Sequence, residues 1–203
     1  VFFLPPPMAG IFEFSLMRVR TDIDQKLLAE LFHQYLNVEE DFVKELFTKG
    51  ETRLGRVLVQ EEQIAAKDYS QVLDYERATR IAETASHIGV GVCYCRHKMS
   101  HMGKACDAPL DNCLTFNSVA HSLTKHGVAK SIETKEALEL LAQAKELNLV
   151  QFADNVQNEV GFLCNCCGCC CEAMLAHKRF VNLQPIHTSN YLPQVDDSLC
   201  TGC

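Results

Sequence analysis

The chain has 203 residues, 47% hydrophobic and 22% charged, with a net charge of −7. That balance belongs to a globular chain, long enough for one sizeable domain or two small ones. The negative charge argues against nonspecific binding to nucleic acid or an anionic membrane, which both need a basic face, and no apolar run approaches the roughly 18–20 residues of a membrane-spanning helix.

The opening "VFFLPPPMAG" is apolar, but it has no basic flank and three prolines interrupt it, which makes a poor signal peptide. The expected location is therefore cytoplasmic. Residues 1–20 read as an extended entry, with "IFEFSLMRV" alternating loosely. "TDIDQKLLAELFHQYL" sets Leu27, Leu28, Leu31, Phe32 and Leu36 at helical spacing, with Thr21 or Asp22 as cap. "NVEEDFVKELFTKG" predicts a second amphipathic helix from Asn37 to Gly50, and "RVLVQ" a short strand. The leucine-rich faces of 22–50 and 134–147 read as core or interface.

"LDYERATRIAETAS" predicts a third helix, and "HIGVGVCYC" a strand entering the first cysteines. Asp107 and Asp111 are expected to cap a short helix holding Cys113. "SVAHSLTKHG" and "TKEALELLAQAKELN" predict two more helices, the second capped by Thr134. "LVQFADN" and "VGFLCNC" read as extended, a helix runs from near Cys169 to about Phe180, and the tail is loop. The fold class is α+β and helix-rich, with short strands and cysteine-bearing loops. The expected organisation is an extended entry and helical segment at 1–70, a cysteine-rich cluster-binding domain at 71–190, and the start of a truncated ferredoxin-type domain at 191–203.

Twelve cysteines, all after residue 92, are the strongest signal. A disulfide framework predicts spaced cysteines in a small exported chain. Here six cysteines fill eight positions from 164 to 171, and neighbours in sequence rarely meet the geometry of a bridge. Metal ligation explains them better. Cys93, Cys95, Cys106 and Cys113 can close around one site. Cys164, Cys167 and Cys170 form a C-x-x-C-G-x-C register, in which Gly168 would let the backbone approach a cluster at positive φ. Cys166, Cys169 and Cys171 are left for a second site or a supporting role. A competing register joins Cys166 and Cys169 to a distant partner. Cys200 and Cys203 form a third group whose further ligands would lie beyond the end. Two [4Fe–4S] clusters are expected within these residues and more in a longer protein.

Zinc is the rival, because it too takes four thiolates, and His97 and His101 would allow a mixed Cys/His site; they read better as solvated or hydrogen-bonded loop residues. Arg96 would either offset the charge of a cluster or form a surface ion pair. Lys98 and Lys104 read as solubilising, Glu61 and Glu62 as surface charge, and His187 as a loop residue. Asn165 would donate to a cluster sulfur or turn the chain. No G-x-G-x-x-G, P-loop, H-E-x-x-H or G-x-S-x-G occurs, so an electron carrier or oxidoreductase subunit is favoured over a stand-alone enzyme.

"FLPPPMAGIFEF", "GVCYCRH…GKACDAPLDNC", "LVQFADNV", "FLCNCCGCCCEA" and "VDDSLCTGC" together resemble a family of iron–sulfur proteins of anaerobes with 4Fe-4S ferredoxin-type domains. The resemblance implies cluster binding, electron transfer and redox protein partners. It also implies a winged-helix-like part upstream and the rest of a two-cluster ferredoxin domain downstream. The first residue, Val1, and the half-motif "CTGC" fit a piece of such a protein. An iron–sulfur redox sensor is the alternative.

Overall fold

The computed structural model describes residues 10–64, 76–189, 191 and 195–201. It is α+β and helix-rich. Six strands form one antiparallel sheet: β1 (Gly55–Val57), β2 (Ile88–Val92), β3 (Asp111–Phe116), β4 (Lys130–Ser131), β5 (Val150–Asp154) and β6 (Phe162–Cys166), in the order β1-β5-β6-β3-β2-β4. The helices are α1 (Ile11–Leu16), α2 (Gln25–His33), α3 (Glu40–Thr48), α4 (Ala78–Thr84), α5 (Tyr94–His101), α6 (Asn117–Lys125), α7 (Thr134–Glu146) and α8 (Glu172–Arg179). No helix among the described residues is long and apolar enough to cross a membrane.

Side chains alternate along a strand, so each strand of this sheet has two assignments. Leu114 of β3 lies opposite Leu163 of β6, and Ala153 of β5 lies opposite Leu163 on its other side. These pack with Ile81 of α4 and Leu141 of α7 into the main apolar core. Leu114, Leu163 and Leu141 are at most 1% exposed, and burial of each is worth about 1.5–3 kcal/mol. The opposite face carries Phe152, Phe162 and Cys166, which pack on Val43 and Phe47 of α3 and on Ala173 and Met174 of α8.

Several expectations need correction. The entry segment is helical at α1, because Phe12 and Leu16 are spaced for one helix face and pack with Phe32 and Leu36. Glu13 turns back to accept the Gly10 N–H at 2.8 Å. The cap of α2 is Asp24, which accepts from the Leu27 N–H at 2.9 Å. The helix then widens into a π-turn, Gln34–Val38, so Asn37 belongs to that turn and α3 begins at Glu40. Leu27 and Leu31, expected in core or interface, are about half exposed and lie outside the core. Thr134 is the first residue of α7, and Glu133 holds the cap position. "YCRHKMSH" forms α5, and Cys113 lies on β3 rather than a helix, so Asp107 and Asp111 cap nothing there. Among the described residues, Cys113, Cys164 and Cys166 sit on strands and Cys93, Cys95 and Cys171 at helix starts, whereas Cys106, Cys167, Cys169, Cys170 and Cys200 sit on loops and turns, as expected. Residues 1–9 and 65–75 lie outside the described residues.

Candidate metal centres

Strand β6 places Cys164 and Cys166 two residues apart, hence on one face. Cys113 of β3 faces them, with its sulfur 3.9 Å from that of Cys164. The ladder between β2 and β3 shifts register between Gly91 and Val92, a bulge of the kind that re-aims a chain end beside a site. Cys93 follows at once as the N-cap of α5, with Cys95 in its first turn. Cys171 is the N-cap of α8. Two helix starts and two strands thus converge on one chamber.

Six thiols line one chamber, and each shifts the acidity of two others in the closed order Cys93, Cys95, Cys171, Cys166, Cys164, Cys113. Their acidities alternate. Cys93 is held well below the usual thiol value by donation from Cys113 and Cys95, Cys171 likewise by Cys166 and Cys95, and Cys164 falls to about 6 beside Cys113 and Cys166. The three donors, Cys95, Cys113 and Cys166, are pushed well above it by the same contacts and by burial. A ring that alternates acceptor and donor can give three thiolates without metal, and more where a cation replaces the shared protons.

The chamber is a cavity of about 30 Å³, lined also by Tyr94, Arg96, Phe152 and Cys167. Pockets for organic ligands run to roughly 300–1,000 Å³. This one suits atoms bonded directly to sulfur.

A second group lies alongside. The sulfurs of Cys106, Cys167, Cys169 and Cys170 all lie within 4.8 Å of one another, with Cys169–Cys170 at 3.7 Å and Cys170–Cys106 at 4.0 Å. These four thiols could hold a metal. Cys106 is half-buried and Cys169 exposed, whereas Cys167 and Cys170 are buried. Hydrogen bonds from Ala108 and Arg96 outweigh burial and hold Cys106 at about 7.

The chain crosses between the groups at Cys166–Cys167 and again at Cys170–Cys171, so each junction spans one peptide, about 3.8 Å between Cα atoms. This overturns the two expected registers. Cys164 cannot join Cys167 and Cys170, because β6 keeps a two-residue period as far as Cys166. Cys106 leaves Cys93, Cys95 and Cys113 for the second group. Cys166 and Cys171 line the first chamber and Cys169 joins the second group, so each belongs to a site, the first of the two roles expected of them. Gly168 has no left-handed φ; its carbonyl accepts from Lys178 Nζ at 2.7 Å, and a Cβ there would stand 3.0 Å from that nitrogen. Cys200 is exposed and belongs to neither group, and Cys203 lies outside the described residues.

Arg96 sits between the groups and is 1% exposed, which rules out a surface ion pair. Its guanidinium donates to the carbonyls of Pro109 and Asn165 and to Asn112 Oδ1. Burial works against its charge, but the thiols of Cys93, Cys167 and Cys106 hold it more firmly protonated than usual. Lys98 is not a solubilising surface group. It is fully buried and paired with Glu172, the residue after Cys171, and with Asn37 Oδ1. Asn37 Nδ2 completes the triangle to Glu172 at 2.8 Å. His97 is buried on α5 with Nδ1 2.8 Å from the Leu16 carbonyl oxygen, and His101 stacks beside it; neither belongs to a thiol group. Asn165 neither turns the chain nor meets a sulfur; it donates from mid-strand to the Asn112 carbonyl at 2.8 Å. Glu61 is buried and accepts from Arg77 and Thr79 at the start of α4. Lys104 is exposed, and the His187 backbone pairs with β1.

Sequence reasoning missed Tyr94, Phe152 and the Lys98–Glu172–Asn37 triangle. Only Glu172, directly after a cysteine, carried a readable signal. No family model matches the chain, and no curated protein or solved structure matches it.

Proposed function

We propose that this chain is an iron–sulfur protein that carries electrons, related to the ferredoxin-type family of anaerobes that its motifs resemble. One observation carries the reading: ten thiols are gathered into two groups that share two single-peptide junctions, one group buried and the other reaching the surface at Cys169. Adjacent redox centres, one of them near solvent, form a path from a partner protein to a protected site. Burial, hydrogen bonds to sulfur and the Arg96 charge set the potentials. Bound clusters would supply the electron chemistry itself. All eleven described cysteines are free, which supports a reducing compartment, the cytoplasm. The acidic surface suits redox partners with basic faces.

Zinc has one observation in its favour. A tetrahedral ion bonded to sulfur at about 2.3 Å sets its ligands roughly 3.8 Å apart, near the separations within Cys106, Cys167, Cys169 and Cys170. A cubane gives each thiolate its own iron and would spread these four sulfurs, chiefly by moving the less buried Cys106 and Cys169.

Protein purified without oxygen and given iron and sulfide should take up both in stoichiometric amounts. It should show a charge-transfer absorption that bleaches on reduction, and an EPR signal in the reduced state. A colourless protein that binds zinc alone would overturn the reading.

A further inference from the structure

We propose that His97 and His101 form a separate site for one divalent transition-metal cation, at the end of α5 opposite to Cys93. The site does not depend on which metal the cysteines hold, so it stands or falls apart from the iron–sulfur reading.

Histidines four apart lie one above the other on a helix face. In α5 their two Nε2 atoms approach to 3.2 Å, with the rings tilted by 39° and the centroids 4.8 Å apart. His97 Nδ1 lies 2.8 Å from the Leu16 carbonyl oxygen. That oxygen can only accept, so Nδ1 carries the hydrogen and the Nε2 lone pair is left free, aimed at His101. A carbonyl on the far nitrogen is a common support of a ligating imidazole, because it fixes tautomer and ring orientation. A tetrahedral ion bonded to nitrogen at about 2.0–2.1 Å sets its ligands about 3.3–3.4 Å apart. Chelation therefore asks the two nitrogens to separate only slightly.

Without an ion, His101 Nε2–H donates to His97 Nε2. With one, the His101 proton moves to Nδ1 and both Nε2 lone pairs bind the cation, so both rings stay neutral and no co-reactant is needed. His101 is the last residue of α5, where the negative helix end favours a cation. It is half-buried, and Ser100, Gly103 and Lys104 beside it are exposed, so the pair is approached by water from that side. Among the described residues no third ligand group joins the pair, and water fills the remaining positions. Imidazole nitrogen suits zinc, nickel or ferrous iron, whereas calcium and magnesium take oxygen. An ion there pins the last turn of the helix that carries Cys93, Cys95, Arg96 and Lys98, and through Leu16 it braces the end of α1.

Nickel is the probe. The full chain is first saturated at its thiols, with iron and sulfide or, if it takes neither, with cadmium, and is then freed of excess metal. Isothermal titration should show one further nickel ion bound per chain. X-ray absorption at the nickel edge should show nitrogen and oxygen neighbours with imidazole scattering behind them, and nickel should raise the melting temperature. His101→Gln, which leaves the bond from His97 to Leu16 in place, should lose both the nickel equivalent and the thermal shift while keeping the metal content of the thiol groups. His97→Asn, whose amide can still donate to the Leu16 carbonyl, should do the same. Equal nickel binding by the unaltered chain and His101→Gln would overturn the proposal, as would nickel–sulfur scattering or no nickel uptake by the unaltered chain. If His97→Asn does not fold, His101→Gln decides alone. Failure to take up iron and sulfide in the first step overturns the electron-transfer reading, and the nickel titration of the cadmium-loaded chain then judges this site by itself.

Discussion

Lys98 is the buried charge whose removal should be felt most. Its ammonium is fully buried, and so, at 3% exposure, is its partner Glu172. Replacing Lys98 with Met keeps the volume and removes the charge, leaving the carboxylate with the Asn37 amide alone. Breaking a buried pair from one side costs about 3–5 kcal/mol. The cost should depend on pH, and its sign follows from the carboxyl. Burial, only partly offset by Lys98, raises Glu172 from 4.5 to about 7. A carboxyl raised in the folded state contributes stability that is complete below its unfolded pKa and is lost as pH rises through the folded one. In the native chain this loss runs from about pH 4.5 to pH 7 and then stops. Without Lys98 the carboxyl keeps its proton to higher pH, so stability should go on falling above pH 7, by about 1.4 kcal/mol per pH unit. Urea denaturation of reduced, metal-free protein at pH 5 and pH 8 measures both parts. Lys98→Met should cost about 1.4 kcal/mol more at pH 8 than at pH 5, the difference accruing over the one pH unit in which only the variant goes on losing stability. Adding Glu172→Gln should recover most of the loss at pH 8. A cost at pH 8 below about 0.5 kcal/mol, or equal costs at the two pH values, would refute the reasoning.

Glu13, raised from 4.5 to about 7 by burial, should add its own fall in stability over the same window, on the order of 3 kcal/mol; Glu13→Gln should flatten that part of the pH–stability curve. Gly55→Ala would set a Cβ 2.1 Å from the Phe152 ring, so it should cost about 1–3 kcal/mol in thermal or urea unfolding. Because Phe152 lines the six-thiol chamber, that substitution should also alter the spectrum of a bound cluster. In metal-free protein at pH 7, Cys106 should be alkylated faster than the more exposed Cys169, whose thiol burial and Cys106 push upward; peptide mass mapping against time would show it. Arg96→Gln should slow the labelling of Cys106, since that guanidinium helps to hold its thiolate.

The elements were more legible in the sequence than the grouping of the thiols. Period-3.6 spacing in "TKEALELLAQAKELN" and runs such as "HIGVGV" and "LVQFAD" correspond to α7, β2 and β5, because their apolar faces pack on the core that their spacing implies. "IFEFSL" misled because two aromatic residues flanking a charge satisfy a two-residue period as well as a short helix turn, and only packing on Phe32 and Leu36 decides. The C-x-x-C-G-x-C reading failed for a related reason. It set every third residue from 164 to 170 toward one centre, although "VGFLCNC" also reads as extended; "FLCNC" pairs with β3 and β5 and obeys the strand period. The pairing of Lys98 with Glu172 was unreadable, since 74 residues separate them and lysine in a polar stretch looks like surface.

The stretch from Cys166 to Cys171 alternates allegiance like a stitch drawn through two layers of cloth. A change of bond length on one side is therefore transmitted to the other through a single rigid amide, with no slack residue to absorb it. Oxidation that pulled the outer thiols into a new arrangement would drag the inner ring out of shape. The fold accordingly gains proximity at the expense of independence, and damage beginning at Cys169 would not stay local.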